Sequence, residues 1–351
     1  NIRKLEDLSW YKDKRILITG LTGFKGSWLA FVLSELGSKI KGISLEPKTN
    51  PSLFNEFKGE VFLDNDYINI CNYEKFYKSL IDFKPDVIFH LAAQALVLEA
   101  AKNPLETYQS NIMGTVNLLE ACNSLPSLKS LVLVTTDKVY KDSKKLIKFS
   151  ENDQLGGNEP YSTSKVCSEL IIKDFHFSNR LNDTNSFGIT VLRAGNVIGG
   201  GDWSANRLIP DIFKAWSKKE SLIIRNPNHI RPWQHVLETT FAYLKSGIYA
   251  ALHKNKEVFN IGPNDEAQIS VKEILEYAKS KIDLKKISYE ESENIETELL
   301  ALDNTKIKNK VNIKPVLGIY DTLDFTFEWY LNFYSKKNPY NLCLRDLKKY
   351  L

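Results

Sequence analysis

The chain has 351 residues, 43% of them hydrophobic, which is enough to bury one large domain or two closely packed ones. Its 47 basic and 43 acidic residues give a net charge of +4 that is spread along the sequence, which argues against a nucleic-acid-binding surface. The four cysteines stand singly, without metal-ligand spacing, which argues against a metal centre and predicts reduced thiols. No apolar run reaches membrane-spanning length and no signal-peptide pattern is present, which argues against a membrane protein and predicts a cytoplasmic location.

The first element is a short apolar strand followed by regularly spaced glycines. The strand Ile16–Ile18 leads to Gly20, Gly23 and Gly26, and an amphipathic helix then ends at Gly37. In such a turn the glycines allow a sharp bend, a close approach of pyrophosphate and tight helix–strand packing. Phosphates would lie at the helix N-terminus. A plain turn is the alternative, but the strand and helix on either side favour a dinucleotide site.

A second strand is predicted within residues 38–45, and a carboxylate follows it. Glu46 lies 20 residues beyond Gly26, about where an acid would bind a ribose 2′-hydroxyl. Lys48 lies close by and could accept a 2′-phosphate instead. This pattern favours NAD over NADP, and the alternative is that Glu46 is a solvated loop charge.

The next elements alternate between helices and apolar strands. They are a loop at 47–60, a strand Tyr67–Ile70, a helix Asn72–Phe83, a strand Asp86–Ala93, a long helix Pro104–Cys122, a strand Leu131–Thr135, a charged loop at 141–157, a helix from Pro160 and a strand Ile189–Arg193. Continuous apolar strands between helices predict an α/β fold with a doubly wound parallel Rossmann sheet.

The pattern changes after residue 192. Residues 195–203 are too glycine-rich for a core element, and helices are predicted around 209–216 and 271–281. We therefore expect a dinucleotide-binding domain at 1–192 and a smaller mixed α/β substrate domain at 193–351, with 233–262 possibly returning to the first domain. The basic tail 335–351 is expected to form a docked helix.

Tyr161 and Lys165 form the main catalytic candidate. On a helix, residues four apart share a face, so an ammonium would lie near the phenol and lower its pKa toward neutrality. Such a tyrosine could act as a base on a substrate hydroxyl. Thr136 lies at the end of the preceding strand, where its hydroxyl could polarise the same oxygen, and Asn111 could join this network through a water. The alternative is two surface residues, but the nucleotide turn favours the catalytic interpretation.

Asp137 and Lys138 follow Thr136 directly. The carboxyl end of a strand is where ligands bind in sheets of this kind, so an acid and a cation here would face the cofactor. A second acid–base pair beside a tyrosine indicates more chemistry than alcohol oxidation. Ordinary solvated loop charges are the alternative.

Several motifs together resemble the extended short-chain dehydrogenases, and within them the CDP-glucose 4,6-dehydratase family. The matching stretches lie at residues 19–29, 90–94, 111–115, 135–138, 155–157, 161–165, 193–203, 207–211, 224–227 and 231–236. This resemblance covers roughly residues 15–262, and the GxxGxxG spacing of the first glycines agrees with it.

The resemblance implies a redox-neutral reaction with tightly bound, recycled NAD. Tyr161 would take the proton of the sugar 4-hydroxyl as the C4 hydride leaves, and Asp137 would protonate the 6-hydroxyl that departs as water. Hydride return to C6 would give the 4-keto-6-deoxy sugar. Lys138 would either remove the C5 proton, which requires a pKa depressed by burial, or stabilise the enolate by its charge.

The implied binding residues fall into two groups. The cofactor group comprises Gly20, Gly23, Phe24, Lys25, Gly26, Glu46, Leu91, Ala92, Ala93, Asn111, Thr135 and Lys165. The substrate group comprises Gln94, Asn196, Arg207, Arg225, Arg231 and His235, with the arginines on the diphosphate. His235 is expected to be a structural or nucleotide contact rather than a base.

Residues 98–101, Leu-Glu-Ala-Ala, depart from the family pattern, so the nucleotide and the sugar stay open. A nucleotide-sugar 4-epimerase or reductase is the alternative enzyme, and a non-catalytic nucleotide-sugar binding protein is the alternative outside enzymes. Relatives pair through a four-helix interface that includes the Tyr161 helix, which implies a homodimer or homotetramer.

Overall fold

The computed structural model describes residues 8–57, 59–61, 64–141, 148–182, 187–264, 268–290 and 301–351, with the backbone alone considered at 176–182 and 268. The strands are β1 Arg15–Thr19, β2 Lys39–Ser44, β3 Asp64–Tyr67, β4 Val87–His90, β5 Ser130–Val134, β6 Lys148–Phe149, β7 Gly188–Ala194, β8 Asn196–Ile198, β9 Ser221–Ile224, β10 Ile230–His235, β11 Lys256–Ile261, β12 Gln268–Ser270, β13 Lys286–Tyr289 and β14 Ala301–Leu302.

The helices connect these strands along the chain. They are α1 Phe24–Glu35, α2 Leu53–Glu56, α3 Tyr73–Phe83, α4 Val97–Lys102, α5 Pro104–Tyr108, α6 Gly114–Cys122, α7 Pro160–Asn182, α8 Leu208–Lys218, α9 Val236–His253, α10 Val271–Lys281, α11 Thr305–Val311, α12 Ile319–Tyr334 and α13 Pro339–Tyr350. A π-helical turn, Gln109–Met113, joins α5 to α6, so the predicted long helix is continuous but widened at its centre.

The described residues form a seven-stranded sheet in the order β3-β2-β1-β4-β5-β7-β11, with every neighbouring pair parallel. The predicted doubly wound α/β fold is therefore confirmed. The strand order reverses between β1 and β4, and this is the position where such sheets bind ligands outside the strands' carboxyl ends. The central strands β4, β5 and β7 are fully buried because helices cover both faces of the sheet there.

The segment 233–262 contributes directly to this sheet. Helix α9 packs against β5, β7 and α1, and β11 pairs with β7 to form the outermost strand. The C-terminal helix α13 packs against α1 and α2, with Leu342, Cys343 and Leu347 buried. The tail is thus a docked helix, and it contacts the dinucleotide-binding half rather than the substrate region alone.

Smaller sheets build the rest of the substrate region. They pair β10 with β12 and β8, β9 with β13, and β6 with β14. One large apolar cluster runs from α1 into α8, α9, α10 and α12, so the two halves share a core. A second cluster, formed by α3, α6 and the other face of the sheet, lies entirely within the first half.

Three local predictions were wrong. The third strand is Asp64–Tyr67 rather than Tyr67–Ile70, because Lys41 on β2 binds both Asp64 and Asp66 and this ionic pairing sets the register of a polar edge strand. The loop at 47–60 contains α2, whose N-terminus is capped by Ser52. The glycine-rich segment at 195–203 is largely buried and includes β8.

Two further observations concern the chemistry of the chain. All four cysteines are free thiols, with Cys122 and Cys343 buried. In the described ranges, no helix combines the length and the apolar character needed to cross a membrane, and no cluster of side chains could hold a metal ion.

Candidate active site

The turn after β1 has the geometry of a phosphate cradle. Gly20 has φ +76°, and a Cβ there would lie 2.8 Å from the backbone nitrogen of Ala92. A Cβ on Gly26 would overlap the Gly20 carbonyl. Helix α1 begins directly after Gly23, and no side chain caps its N-terminus. The first-turn N–H groups therefore face an opening that suits an anion.

The carboxyl end of β4 forms the next wall of this opening. Leu91, Ala92 and Ala93 are partly exposed there, and the Ala92 N–H donates to Thr19 Oγ1 at 3.2 Å. His90 is buried, and its Nδ1 lies 2.8 Å from the same hydroxyl. Burial lowers the pKa of His90 to about 3, so it stays neutral and serves the packing of this strand end.

Glu46 lies two residues beyond β2 and is exposed. The carbonyl of Leu45 accepts a hydrogen bond from Thr22 Oγ1 at 2.8 Å, which ties this segment to the glycine turn. The nearby cation Lys48 lies 3.8 Å from Glu106. The carboxylate of Glu46 is thus the acidic group beside the turn.

Asn111 and Gln94 are bound to each other. Asn111 Oδ1 accepts from the Gln94 N–H at 2.8 Å, and its Nδ2 donates to Gln94 O and to Ser164 Oγ. The Gln94 side chain closes a turn with both backbone groups of Leu96 and is 6% exposed. Both residues therefore shape the loop that follows β4.

Tyr161 and Lys165 lie on the face of α7 that meets the end of β5. Lys165 Nζ donates to the Val134 carbonyl at 3.3 Å, and the Tyr161 side chain makes a hydrogen bond with Thr136. Both α7 side chains are less than a tenth exposed. The structure therefore brings together the phenol, the ammonium and the threonine hydroxyl that the sequence singled out.

The predicted lowering of the Tyr161 pKa is wrong when the groups of this chain alone act on it. Burial raises the pKa of Tyr161 to about 12, against smaller opposing effects of the Thr136 hydrogen bond and of Arg207. Burial also lowers the pKa of Lys165 to about 8, which the charge of Glu169 opposes. Desolvation exceeds the attraction between charges because both side chains are enclosed.

Asp137 lies directly beside this pair. Its Oδ1 accepts from Thr136 Oγ1 at 3.0 Å, while its buried Oδ2 has no hydrogen-bond partner among the described groups. Burial raises the pKa of Asp137, with Lys138, Thr136 and Arg231 opposing. A carboxyl with a raised pKa and a free oxygen is more readily protonated than an exposed aspartate and can donate that proton.

The predicted substrate arginines divide into two environments. Arg207 is about one-third exposed, and its Nη1 lies 3.6 Å from Asp202 Oδ2. The half-buried Arg225 lies near Asp211, whose pKa burial raises to about 6. The charge of Asp202 also raises the pKa of Asp211, so these side chains form one charged cluster with two planar donor groups. Asn196, at the start of β8, is half-buried.

Arg231 and His235 lie deeper than expected. Arg231 is 5% exposed, lies 2.9 Å from His229 Nδ1 through Nη2, and is close enough to Asp137 to lower its pKa. His235 is fully buried, caps α9 by accepting from the Leu237 N–H at 3.3 Å, and packs between Trp28 and Phe325. Of the roles predicted for His235, the substrate contact is wrong because the ring lies inside the core, and the structural role is the one it has.

Three charged residues near the site were assigned another role or none by the sequence. Lys25 was placed with the cofactor, but its electrostatic neighbours include Lys165, Asp137 and Arg207, all on the catalytic side, and burial lowers its pKa to about 8. Glu169 continues the four-residue spacing of Tyr161 and Lys165, a signal that could have identified it. Asp202 follows a run of three glycines, which gave no such signal.

Comparison with known proteins agrees with this geometry. The GDP-mannose 4,6 dehydratase family matches residues 17–324. The chain is 37% identical to CDP-glucose 4,6-dehydratase of Salmonella typhimurium over 98% of each sequence. The dTDP-glucose 4,6-dehydratase of Bacillus anthracis, solved in complex with NAD, superposes with a TM-score of 0.74 and 25% identity over 93% of this chain and 99% of that one. UDP-glucose 4-epimerase of Thermotoga maritima shares the fold, with a TM-score of 0.78 and 23% identity over 91% and 99%.

Proposed function

Because the chain belongs to the GDP-mannose 4,6 dehydratase family, we propose that it is an NAD-dependent nucleotide-sugar 4,6-dehydratase that converts CDP-glucose, or a close nucleotide hexose, to the 4-keto-6-deoxy sugar. The observation that carries this proposal is the position of Thr136, which contacts both the Tyr161 phenol and the Asp137 carboxyl. A base for oxidation and an acid for dehydration are thus joined through one residue.

The residues present fit NAD. The uncapped start of α1 and the close approach of Gly20 to Ala92 form a cradle that a Cβ would fill, and the phosphates would lie there. Glu46 would accept from the ribose hydroxyls, and the pairing of Lys48 with Glu106 favours NAD over NADP. When bound, NAD supplies an acceptor for the C4 hydride and returns that hydride to C6, so it would stay bound through the reaction.

The protons are handled by the chain itself. Since burial raises the pKa of Tyr161 to about 12, the phenol must first lose its own proton to solvent, and the phenolate then takes the proton of the 4-hydroxyl. Thr136 holds the phenol oxygen in place by its hydrogen bond. The 4-ketone acidifies the C5 proton, whose removal allows the 6-hydroxyl to depart once Asp137 has protonated it. The raised pKa of Asp137 supports its role as the acid, because the carboxyl must enter the reaction protonated.

Lys138 is half-buried on the same loop as Asp137. Two roles are open for it: its neutral amine removes the C5 proton, or its charge stabilises the enolate while another base takes that proton.

The diphosphate of the substrate would be bound by Arg207 and Arg225, whose planar forks suit paired phosphate oxygens. Arg231 would act from a deeper position beside Asp137. Asn196 would add a neutral donor from the start of β8.

We further propose a homodimer, or a tetramer built from it. Leu105 on α5, Met113 on the π-helical turn and Leu170 on α7 are exposed, although α5 and α7 pack against each other. A second copy of these helices would cover the three apolar side chains. A cytoplasmic location belongs to the same proposal and is supported by the four free thiols.

The function is tested by incubating the protein with CDP-glucose and with dTDP-, UDP- and GDP-hexoses. Formation of a 4-keto-6-deoxy sugar gives absorbance in alkali and a mass loss of one water. We expect Asp137→Asn to reduce dehydration about 100-fold or more, since one proton-transfer group is lost, while oxidation at C4 continues and reduced cofactor accumulates.

Asp324→Asn is the matched control, because Asp324 is a hydrogen-bonded carboxylate on α12 that binds Tyr277 and Lys281. An epimer without mass loss from the wild-type protein would identify a 4-epimerase instead. If the protein binds these nucleotide hexoses but leaves all of them unchanged, it is a binding protein and not an enzyme.

A further inference from the structure

Glu169 and Arg193 form a buried ion pair behind the catalytic residues. Arg193 Nε lies 3.0 and 3.1 Å from the two carboxylate oxygens of Glu169, and its Nη2 contacts Oε2. The side chain of Arg193 is 4% exposed and that of Glu169 is 5% exposed. Glu169 also accepts from Thr135 Oγ1 at 2.8 Å. One carboxylate on α7 is therefore bound to the ends of two neighbouring strands, β5 and β7.

The other side of Arg193 contacts a tyrosine that follows the catalytic acid. Arg193 Nη1 donates to Tyr140 Oη at 2.8 Å, and the guanidinium lies 4.8 Å from the centre of the Tyr140 ring. The Tyr140 hydroxyl in turn donates to Asn260 Oδ1 at 2.6 Å. Tyr140 is 4% exposed, so these contacts are shielded from water.

These contacts bind both ends of one short segment, residues 135–140, which we name the Asp137 loop. Thr135 at its start is bound through Glu169, and Tyr140 at its end is bound by Arg193 directly. We propose that Glu169, Arg193 and Tyr140 are positioning residues, which hold the Asp137 loop in a fixed place against the helix that carries Tyr161 and Lys165.

Two groups of proton-transfer residues meet at this place. Tyr161 and Lys165 project from α7, whereas Asp137 and Lys138 project from the Asp137 loop. Since Glu169 lies one helical turn beyond Lys165, its bond to Thr135 fixes the position of the loop relative to the helix. Proton transfer falls steeply when the donor moves by fractions of an ångström, so a fixed loop matters most for elimination, which requires both groups on the same sugar.

The inference rests on the proposed dehydratase function. It predicts that loosening the loop slows elimination more than oxidation. Elimination needs Asp137 and Lys138 of the loop as well as α7, whereas oxidation needs from the loop only the hydrogen bond of Thr136 to Tyr161. Tyr140→Phe is the mildest test, since the ring keeps its stacking on Phe149, at 4.8 Å between centroids, and its contact with Arg193. We expect dehydration to fall about tenfold, because the loop loses the hydrogen bonds of the Tyr140 hydroxyl with Arg193 and Asn260. Oxidation at C4 should fall less than dehydration, so reduced cofactor accumulates and is followed by its absorbance at ~340 nm.

The control is Tyr11→Phe, which also removes a hydroxyl from a buried ring. Tyr11 donates to the Leu244 carbonyl at 2.7 Å and contacts neither the loop nor α7. It should lower thermal stability as Tyr140→Phe does, without changing the ratio of oxidation to dehydration. Arg193→Lys keeps the charge but loses the fork, and should change that ratio further in the same direction.

The proposal is overturned if Tyr140→Phe lowers oxidation and dehydration equally, or changes neither. A second measurement does not depend on activity. Hydrogen–deuterium exchange of the amides at 136–141 should be faster in Tyr140→Phe than in the wild type and unchanged in Tyr11→Phe. If exchange is faster in Tyr140→Phe but the protein dehydrates no nucleotide hexose, the positioning contacts stand and the proposed function is rejected. If exchange is unchanged in an active dehydratase, only the positioning contacts are rejected.

Discussion

The cofactor side and the substrate side of the site are built in different ways. The cofactor side is formed by the glycine turn, the ends of β4 and β5 and one face of α7. Each of these belongs to a regular element or follows one directly. On the substrate side, the segment at 195–203 is held by distant side chains. Trp28 of α1 donates to the Gly200 carbonyl at 2.8 Å, and Tyr330 of α12 binds the backbone N–H of Asp202 at 3.1 Å.

Because of this difference, substitutions on the cofactor side should act mainly on catalysis, whereas substitutions on the substrate side should act on stability as well. A group on a regular element can be changed without disturbing its neighbours, because the backbone of the element is bound independently of that side chain. The segment at 195–203 depends on packing against α1 and α12, so changes there should act on folding and on Arg207 together.

The largest effect is expected on the cofactor side, from Tyr161→Phe. Loss of the phenolic hydroxyl removes the base for C4 oxidation, so kcat should fall about 10³-fold, within the range of acid–base catalysis. The thermal unfolding midpoint should stay close to that of the wild type, because the described contacts of this hydroxyl are confined to the site. Product assay and calorimetry test both statements. A stable variant with substantial activity would show that another group is the base.

A smaller effect, on stability, is expected on the substrate side from Gly200→Ala. A Cβ at this position would overlap the indole ring of Trp329, which is fully buried, so the free energy of unfolding should fall by about 1–3 kcal/mol. Urea denaturation measures this change. Gly318→Ala is the control, since its Cβ would meet only Asp321 Oδ2, at an ordinary 3.5 Å. Equal losses in both variants would contradict the packing argument.

The smallest effect is a shift in the pH dependence of activity. Lys165, with a pKa of about 8, loses its charge as the pH rises through that value, so activity should fall on the alkaline side. Lys25 and His90 face Lys165 from α1 and β4, and Glu169 faces it from α7. Because Glu169 raises the pKa of Lys165, Glu169→Gln should move the alkaline fall to lower pH. A pH–rate profile that is unchanged in this variant would exclude the effect.

Local sequence patterns predicted the first strand–turn–helix unit and the helix that carries Tyr161 and Lys165. The spacing of Gly20, Gly23 and Gly26 and the pair Tyr161 and Lys165 lie within single elements, where a period of three or four residues determines which side chains share a face. The same reasoning failed at the third strand, because salt bridges from Lys41 rather than apolar alternation set the register there. It also failed at His235, since a capping histidine inside the core has the same sequence signal as an exposed one.

The sequence alone determined the strand–turn–helix order, the parallel sheet and the chemical groups available for catalysis, because these follow from residue type and short-range spacing. Only the tertiary structure decided that the pKa values of Tyr161 and Asp137 are raised, since burial depends on every surrounding element. It also decided that Arg193 contacts both Glu169 and Tyr140. Arg193 lies 24 positions from Glu169 and 53 positions from Tyr140 along the chain, and no local period relates them.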